Sequence, residues 1–230
     1  MKYHKIILAS VVTIFCATAG TAIAKKDELP EVTVDGLERV PDSKLAVVYA
    51  EPGASLAQYQ RIMLLDPYVA FKKNWARNQR SRSADKLRVN SRDVEKIKND
   101  LALEFDDIFK KTLEDGGYAI VEEAAQDVLL VRPAIINLDV NAPDTMRAGR
   151  SRTYTTSAGE MTLYIEIYDS VTGDLIAKAL DRRIDDKRQG YYTWTNSVTN
   201  KAAAKRILGG WATILLDALN EAKQHEPKEP

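Results

Sequence analysis

The feature that most constrains this chain is an uncharged run of 19 residues near its N-terminus, from Ile6 to Ala24. Lys2 and Lys5 precede the run, and the small residues Ala22-Ile23-Ala24 end it directly before a charged stretch. A basic head, an apolar run and a small-residue exit are typical of a secretory signal peptide, here cleaved after Ala24. The sequence therefore predicts a protein of the bacterial periplasm and leaves peripheral association with the outer membrane open.

Two other interpretations of the same run stay open. A run of about 20 apolar residues can span a bilayer, so an uncleaved anchor is one, although Ser10, Thr13 and Gly20 dilute it. Acylation of Cys16, the only cysteine, is the other, although the bulky Phe15 stands where a lipoprotein signal needs a small residue. After cleavage, 206 residues remain without a cysteine or a transmembrane segment. No disulfide can then form, so an ordinary hydrophobic core must supply the stability.

The rest of the chain is predicted to form a single α+β domain over residues 45–223. Residues 25–44, which are charged and contain two prolines, are expected to be a loosely ordered lead-in, and residues 224–230 a disordered tail. Apolar runs and alternating patterns predict strands near 45–49, 61–71, 118–121, 128–141, 160–167 and 175–184. Pro133 should place its strand at an edge or in a bulge. The expected fold is a mixed, mostly antiparallel sheet of about five strands with two packed helices.

Both helices are predicted from apolar stripes. In residues 93–114 the stripe includes Ile97, Leu101 and Phe105, with Ser91 as the cap and Gly116-Gly117 as the stop. The last helix spans about 196–223 and carries Trp211 in its stripe. We expect Phe105 and Trp211 in the core. Gly209 and Gly210 weaken this helix, and close approach of its backbone to the sheet is the expected reason for them.

The inventory of reactive side chains limits the chemistry. The two histidines are His4, in the leader, and His225, in the tail, so Ser-His-Asp, Cys-His and His/Cys zinc sites are not expected. The sequence contains no glycine-rich phosphate loop. Asp169 and Asp174 bracket a turn, where they are ordinary turn residues rather than calcium ligands. We predict no enzyme, no cofactor and no metal, with an enzyme that uses carboxylates alone as the remaining alternative.

One segment departs from the balanced charge of the chain, which has 33 basic and 33 acidic residues. Residues 72–92 contain eight basic residues and a single acid, Asp85, and an acidic segment follows. We predict that this loop docks on an envelope protein or on an anionic surface of phospholipid or peptidoglycan, through Lys72, Lys73, Trp75, Arg77, Arg80, Arg82 and Arg88. In the alternative, the arginines of a solvated loop pair with the acidic helix. Nucleic acid is not expected, because the global charge is near zero.

Several short motifs resemble a known family. They are Asp35-Gly36-Leu37, the stretch from Tyr49 to Gly53, Tyr59, Leu65-Asp66-Pro67, Phe71 with Trp75, Asp127-Val128, the alternating strand 161–167 and the turn from Tyr168 to Asp174. Together they resemble the bacterial family called domain of unknown function 3313 over most of residues 35–220. The resemblance implies an envelope role, since members are described as envelope lipoproteins, and it implies no catalytic residues. The surroundings of Cys16 depart from that lipoprotein pattern.

Two functions therefore stay open. The first is a non-catalytic periplasmic or outer-membrane-associated accessory protein that binds an envelope partner. The alternative is a lipid- or small-molecule-binding module whose pocket lies between the helix at 196–223 and the sheet. An unfilled apolar cavity beneath Trp211 would favour the binding module. A well-filled core with an ordered basic loop would favour the docking protein.

Overall fold

Alternating apolar and polar residues build a sheet, and two apolar stripes of helical spacing cover one of its faces. The computed structural model describes residues 29–82, 89–140, 153–155, 157–186, 193–195 and 197–224. The first elements are β1 (Glu38–Arg39), β2 (Val47–Ala50), β3 (Arg61–Leu64), β4 (Tyr68–Phe71), α1 (Trp75–Arg82) and α2 (Ser91–Asp115). They are followed by β5 (Ala119–Ile120), β6 (Val128–Val140), β7 (Thr153–Thr155), β8 (Ser157–Asp169), β9 (Leu175–Asp186), β10 (Thr193–Thr195) and α3 (Ser197–Gln224).

Eight of the described strands form one mixed sheet of order β1-β2-β9-β8-β6-β3-β5, in which β4 also pairs with β6. The pairs from β1 through β6 in this order are antiparallel, whereas β3 and β4 run parallel to β6 and β5 runs parallel to β3. β7 and β10 form a separate antiparallel pair. The predicted α+β class and the mixed, mostly antiparallel sheet are confirmed. The expectation of about five strands was wrong, because the run predicted as one strand at 61–71 divides into β3 and β4 and because the two-residue β1 is too short to show a pattern.

The long strand β6 is central, contrary to the edge position that Pro133 predicts. On one side, Pro133 pairs with β8. On the other side, it lies between the stretch paired with β3, which ends at Val131, and the stretch paired with β4, which begins at Ala134. The break between β3 and β4 therefore removes the need for an N–H from the proline. The bulge in this strand lies further along, between Ile136 and Asp139.

The ends of α2 are fixed by local hydrogen bonds and by a glycine. The Asn90 side chain accepts a hydrogen bond from the Asp93 N–H, and the Asp93 carboxylate accepts one from the Asn90 N–H, both at 3.0 Å. The cap is thus Asn90 and not the predicted Ser91, because only Asn90 is followed by an acid three residues later. At the other end, Gly117 has φ of 92°, a left-handed conformation that glycine accepts.

The core lies between the sheet and the two long helices. α2 and α3 pack against each other, α2 lies against β4 and β5, and α3 lies against β8 and β9. The apolar face of β8, which carries Met161, Leu163, Ile165 and Ile167, belongs to the same core. The predicted burial of Phe105 and Trp211 is confirmed, since their exposed fractions are 0% and 1%. The two helices run in the same direction, because Glu104 contacts Lys201 near the start of α3 and Gly116 lies against Leu216 further along.

The segment before β2 is more ordered than a loose lead-in. From Glu31 onward it contacts the sheet: Leu37 is 2% exposed, β1 pairs with β2, and Asp35 forms an ion pair with Lys178 of β9. The predicted signal peptide lies outside the described residues, as does the predicted tail after Gln224. None of the helices in the described part of the chain combines the length and the apolar character that a membrane span requires.

Candidate functional site

Part of the predicted docking loop is a helix, α1, which is anchored to the end of β6. Trp75 is 3% exposed and stacks on Phe71, with ring centroids 4.0 Å apart. Its indole N–H donates to the Val140 carbonyl at 3.1 Å, and the Gln79 amide donates to the same carbonyl at 2.8 Å. Trp75 was predicted to dock on a partner, but its ring is buried because it completes the packing where β4 ends. The segment is also not a loop over residues 75–82.

The cations of this segment differ in their surroundings. The Lys72 ammonium lies 3.1 Å from Glu160 and 3.7 Å from Asp139, so it pairs with acids of the sheet and not with the acidic helix. Lys73 and Arg77 are exposed, and neither forms an ion pair with the side chains that the structure describes. Arg80 and Arg82 follow in α1, and Arg88 lies outside the described residues.

A groove of about 660 Å³ opens between the N-terminal parts of α2 and α3 and the adjoining end of the sheet. We name it the α2–α3 groove. Its larger apolar contributions come from both helices and from the strands β6 and β8, through Ile97, Leu101, Leu138, Met161, Ala203, Ala204 and Ile207. Among the described residues that line it, none is aromatic. Small-molecule pockets span roughly 300–1,000 Å³, so the α2–α3 groove can hold a ligand, and its lining suits a flexible aliphatic group.

Small side chains on α3 leave this space. Ala203 and Ala204 line the groove on the α3 side, about two turns before Trp211. The alternative prediction of a pocket between the helix at 196–223 and the sheet placed it beneath Trp211, which does not line the groove. Sequence reasoning missed the actual position because it places Ile97 and Leu101 in the core and gives no meaning to the alanine run at 202–204. That run is the available signal, since small residues between packed elements leave a void unless neighbours fill it.

Charged side chains also line the groove. Two are lysines, Lys96 and Lys201, and seven are carboxylates: Asp93, Asp100, Glu104, Asp107, Asp139, Glu160 and Asp185. Most of these carboxylates already have partners. Asp93 belongs to the capping box, Asp100 pairs with Lys96, and Asp185 pairs with Arg206. These paired carboxylates form a polar rim around the apolar interior of the groove.

Glu104 connects the two helices beside the groove. It is 7% exposed, and its two carboxylate oxygens lie 2.9 Å from the ammonium groups of Lys201 and Lys205. Burial acts to raise the pKa of Glu104, but the hydrogen bonds from Lys205 and Lys201 outweigh it and hold that pKa below its ordinary value. Glu104 is therefore ionised at neutral pH and stabilises the parallel arrangement of α2 and α3.

The described carboxylates do not form a metal site. Within the residues whose placement is given, no three His, Cys, Asp or Glu side chains are arranged to hold a metal ion. The turn residue Asp169 accepts hydrogen bonds of 2.8 Å from the Val171 and Thr172 N–H groups and from the Tyr59 hydroxyl. Those contacts give Asp169 the role of a turn residue.

Comparisons with known proteins place the chain in a family and near several solved folds. The sequence model of the family described as "Protein of unknown function (DUF3313)" matches residues 31–215. A search of curated proteins found no match.

Among solved structures, a PelC dodecamer from Paraburkholderia phytofirmans is 14% identical, with 73% of this chain and 96% of that chain covered and a TM-score of 0.37. A DUF330 protein from Xanthomonas campestris is 11% identical, with 72% and 91% covered and a TM-score of 0.39. A DUF4136 protein from Bacteroides thetaiotaomicron is 12% identical, with 76% and 91% covered and a TM-score of 0.30. Likenesses at this level do not bear on function.

Proposed function

Because the chain belongs to the DUF3313 family of proteins of unknown function, we propose its role from its own residues. It is an exported, non-catalytic binding protein of the cell envelope that holds an aliphatic ligand in the α2–α3 groove. The observation that carries this proposal is the groove of about 660 Å³ with its aliphatic interior. Of the two functions left open by the sequence, this is the binding module.

Export and periplasmic location rest on the N-terminal sequence. The basic residues Lys2 and Lys5, the apolar run to Ala24 and the small-residue exit provide the signal, and cleavage after Ala24 releases the protein. An aliphatic ligand also suits the envelope, where acyl chains are the abundant apolar material. Peripheral association with the outer membrane is compatible with such a ligand.

A non-catalytic role is supported by the state of the carboxylates at the groove. General acid or base chemistry needs a group that is free to exchange a proton with a substrate. Glu104 is held by two lysines, Asp93 by the capping box, and Glu160 by Lys72 and Arg182. These partners hold the carboxylates in place, which favours binding over proton transfer.

The test is a calorimetric titration of the mature protein with decan-1-ol, a neutral aliphatic probe. We expect saturable binding at one site. Ala204→Trp places a large ring in the groove and should abolish binding, because Ala204 lines it. The matched control is Thr213→Trp, which adds the same ring at an exposed position of α3 outside the groove and should bind normally. Equal binding by both variants, or none by the unmodified protein, contradicts the proposed function.

A second candidate function is favoured by one observation at α1. The bonds from Trp75 and Gln79 to Val140 hold this helix on the sheet, while Lys73, just before the helix, and Arg77, within it, are exposed. A short basic helix held in this way can present its charge to an anionic phospholipid surface, where each basic residue contributes about 1 kcal/mol. Docking through Lys73, Arg77 and the following arginines of α1 would bring the groove to a membrane.

A further inference from the structure

The lip of the α2–α3 groove carries an exposed leucine between two carboxylates. Leu103 lines the groove with 66% of its surface exposed. Asp100 precedes it by three residues and Asp107 follows it by four, so the three side chains are neighbours on the surface of α2. An apolar side chain flanked by two negative charges matches a ligand that has an aliphatic body and a positive head.

The charges around the groove leave an excess of negative charge. Five of its seven lining carboxylates form ion pairs with six cations: Lys72, Lys96, Arg182, Lys201, Lys205 and Arg206. Four of these cations are not among the lining residues, so a ligand in the groove faces seven carboxylates and two lysines. Asp107 forms no direct ion pair with the described side chains, and its charge acts only at longer range on the Lys201 ammonium, whose pKa the hydrogen bond to Glu104 raises most. An anionic head would therefore be repelled at this lip.

Two buried carboxylate oxygens add to this preference at the sheet end of the groove. Asp185 is 8% exposed, and its Oδ1 is bonded to Arg206 at 2.5 Å, whereas its buried Oδ2 has no hydrogen-bond partner in the described part of the chain. The buried Oδ1 of Asp139 also has no hydrogen-bond partner in the described part of the chain. Away from water, an uncompensated acceptor interacts more strongly with a nearby charge than it does in solution. Both oxygens therefore favour a positive over a negative ligand.

We propose that the ligand of the α2–α3 groove is a cationic amphiphile. Its aliphatic chain lies against Ile97, Leu101 and Ile207. Its ammonium head lies at the lip against Asp107, beside the existing ion pair of Asp100 with Lys96. This inference rests on the proposed function, since it names the class of ligand that the groove takes. The lip is exposed to solvent, so the preference for a positive head falls as the salt concentration rises.

The test compares three probes with the same ten-carbon chain: decylamine, decan-1-ol and decanoate. Each is titrated into the mature protein by calorimetry at pH 7 and low salt. We expect decylamine to bind at least tenfold more tightly than decanoate, with decan-1-ol between them. The double variant Asp100→Asn with Asp107→Asn should reduce the preference for decylamine over decanoate at least threefold, and the preference that stays is due to the buried oxygens of Asp139 and Asp185. Asp115→Asn changes an exposed carboxylate of α2 outside the groove and should keep the original order.

The outcomes separate this inference from the function on which it rests. If decan-1-ol binds and Ala204→Trp abolishes that binding, the groove is a ligand site. If decylamine then binds no more tightly than decanoate, or if the Asp100 and Asp107 double variant keeps the full preference, the cationic head is overturned while the site stands. If decan-1-ol does not bind, the proposed function falls and the inference falls with it.

Discussion

The indole N–H of Trp211 donates a hydrogen bond of 2.7 Å to the carboxylate of Asp181, which joins α3 to β9. The same carboxylate accepts the Ala46 N–H at 3.1 Å and the Arg183 Nε–H at 3.0 Å. Asp181 is 8% exposed, so one buried acceptor connects the helix, its strand and the segment that leads into β2. This contact holds α3 about one turn beyond Ile207 and so fixes one side of the α2–α3 groove.

Removing either large core ring should strongly destabilise the protein. Trp211→Ala and Phe105→Ala are each expected to lower the free energy of unfolding by roughly 3–5 kcal/mol, because each leaves a large cavity. Trp211→Phe keeps most of the packing and loses the hydrogen bond to Asp181, which should cost about 1–3 kcal/mol. Urea denaturation measures all three. A loss below about 1 kcal/mol for both alanine variants would contradict the assigned core.

The adjacent glycines of α3 should respond differently to alanine. A Cβ on Gly209 would have no neighbour within 4 Å, whereas a Cβ on Gly210 would lie 2.6 Å from Nη1 of Arg183. Gly209→Ala should therefore stabilise the protein by about 0.5–1 kcal/mol through helix propensity. Gly210→Ala should gain less or lose stability, since Arg183 must move away from Asp181. Equal gains in urea denaturation would show that Arg183 does not constrain Gly210.

Acid should remove the contribution of Glu104 to stability. The pKa of Glu104 lies below its ordinary value of 4.5 in the folded protein, so the unfolded chain binds the proton more readily. The contribution is therefore complete above pH 4.5 and is lost as the pH falls through the folded pKa. Glu104→Gln should cost about 1–2 kcal/mol at pH 7 and less at pH 3. Unfolding free energies at both pH values test this, and a difference that does not change with pH would contradict it.

The second candidate function predicts salt-sensitive binding to anionic vesicles. Replacing Lys73 and Arg77 together with serine should weaken binding to phosphatidylglycerol vesicles at low salt by about 2 kcal/mol, at roughly 1 kcal/mol for each cation. Lys111→Ser removes an exposed cation of α2 and serves as the control. Vesicle sedimentation and urea denaturation are measured on the same variants. Loss of stability with unchanged vesicle binding would make the two cations structural and reject docking through α1.

The sequence predicts the elements in which the pattern of apolar residues extends over many positions. The alternation in β8 and the apolar stripe of α2 predict their elements within a few residues, and the burial of Phe105 follows from that stripe. The two-residue strand β1 has too few residues for a pattern to show, whereas β5 lies within the strand predicted near 118–121. α1 was not recognised, because the basic and polar residues from Arg77 to Arg82 carry no apolar stripe, and only Trp75 and Gln79 attach it to β6.

The candidate site was less predictable than the fold. A groove depends on what three elements fail to fill, and this cannot be deduced from the pattern of any one of them. Ile97 and Leu101 have the spacing of core residues, and the alanines at 203 and 204 are ordinary helix formers. The sequence instead predicts the site at residues 72–92, because of their excess of basic residues. In the structure, however, Lys72 pairs with Glu160 and Trp75 is buried.

The most direct test of the central claim is photocrosslinking with a decyl chain that carries a diazirine at its end, followed by peptide mapping. The probe should insert into residues of the α2–α3 groove, with Ile97, Leu101 and Ile207 as the expected sites. Ala204→Trp should remove this labelling, and Thr213→Trp should keep it. Labelling concentrated on α1 or on the opposite sheet face around Tyr164, or groove labelling that persists in Ala204→Trp, would contradict the claim that the groove holds an aliphatic ligand.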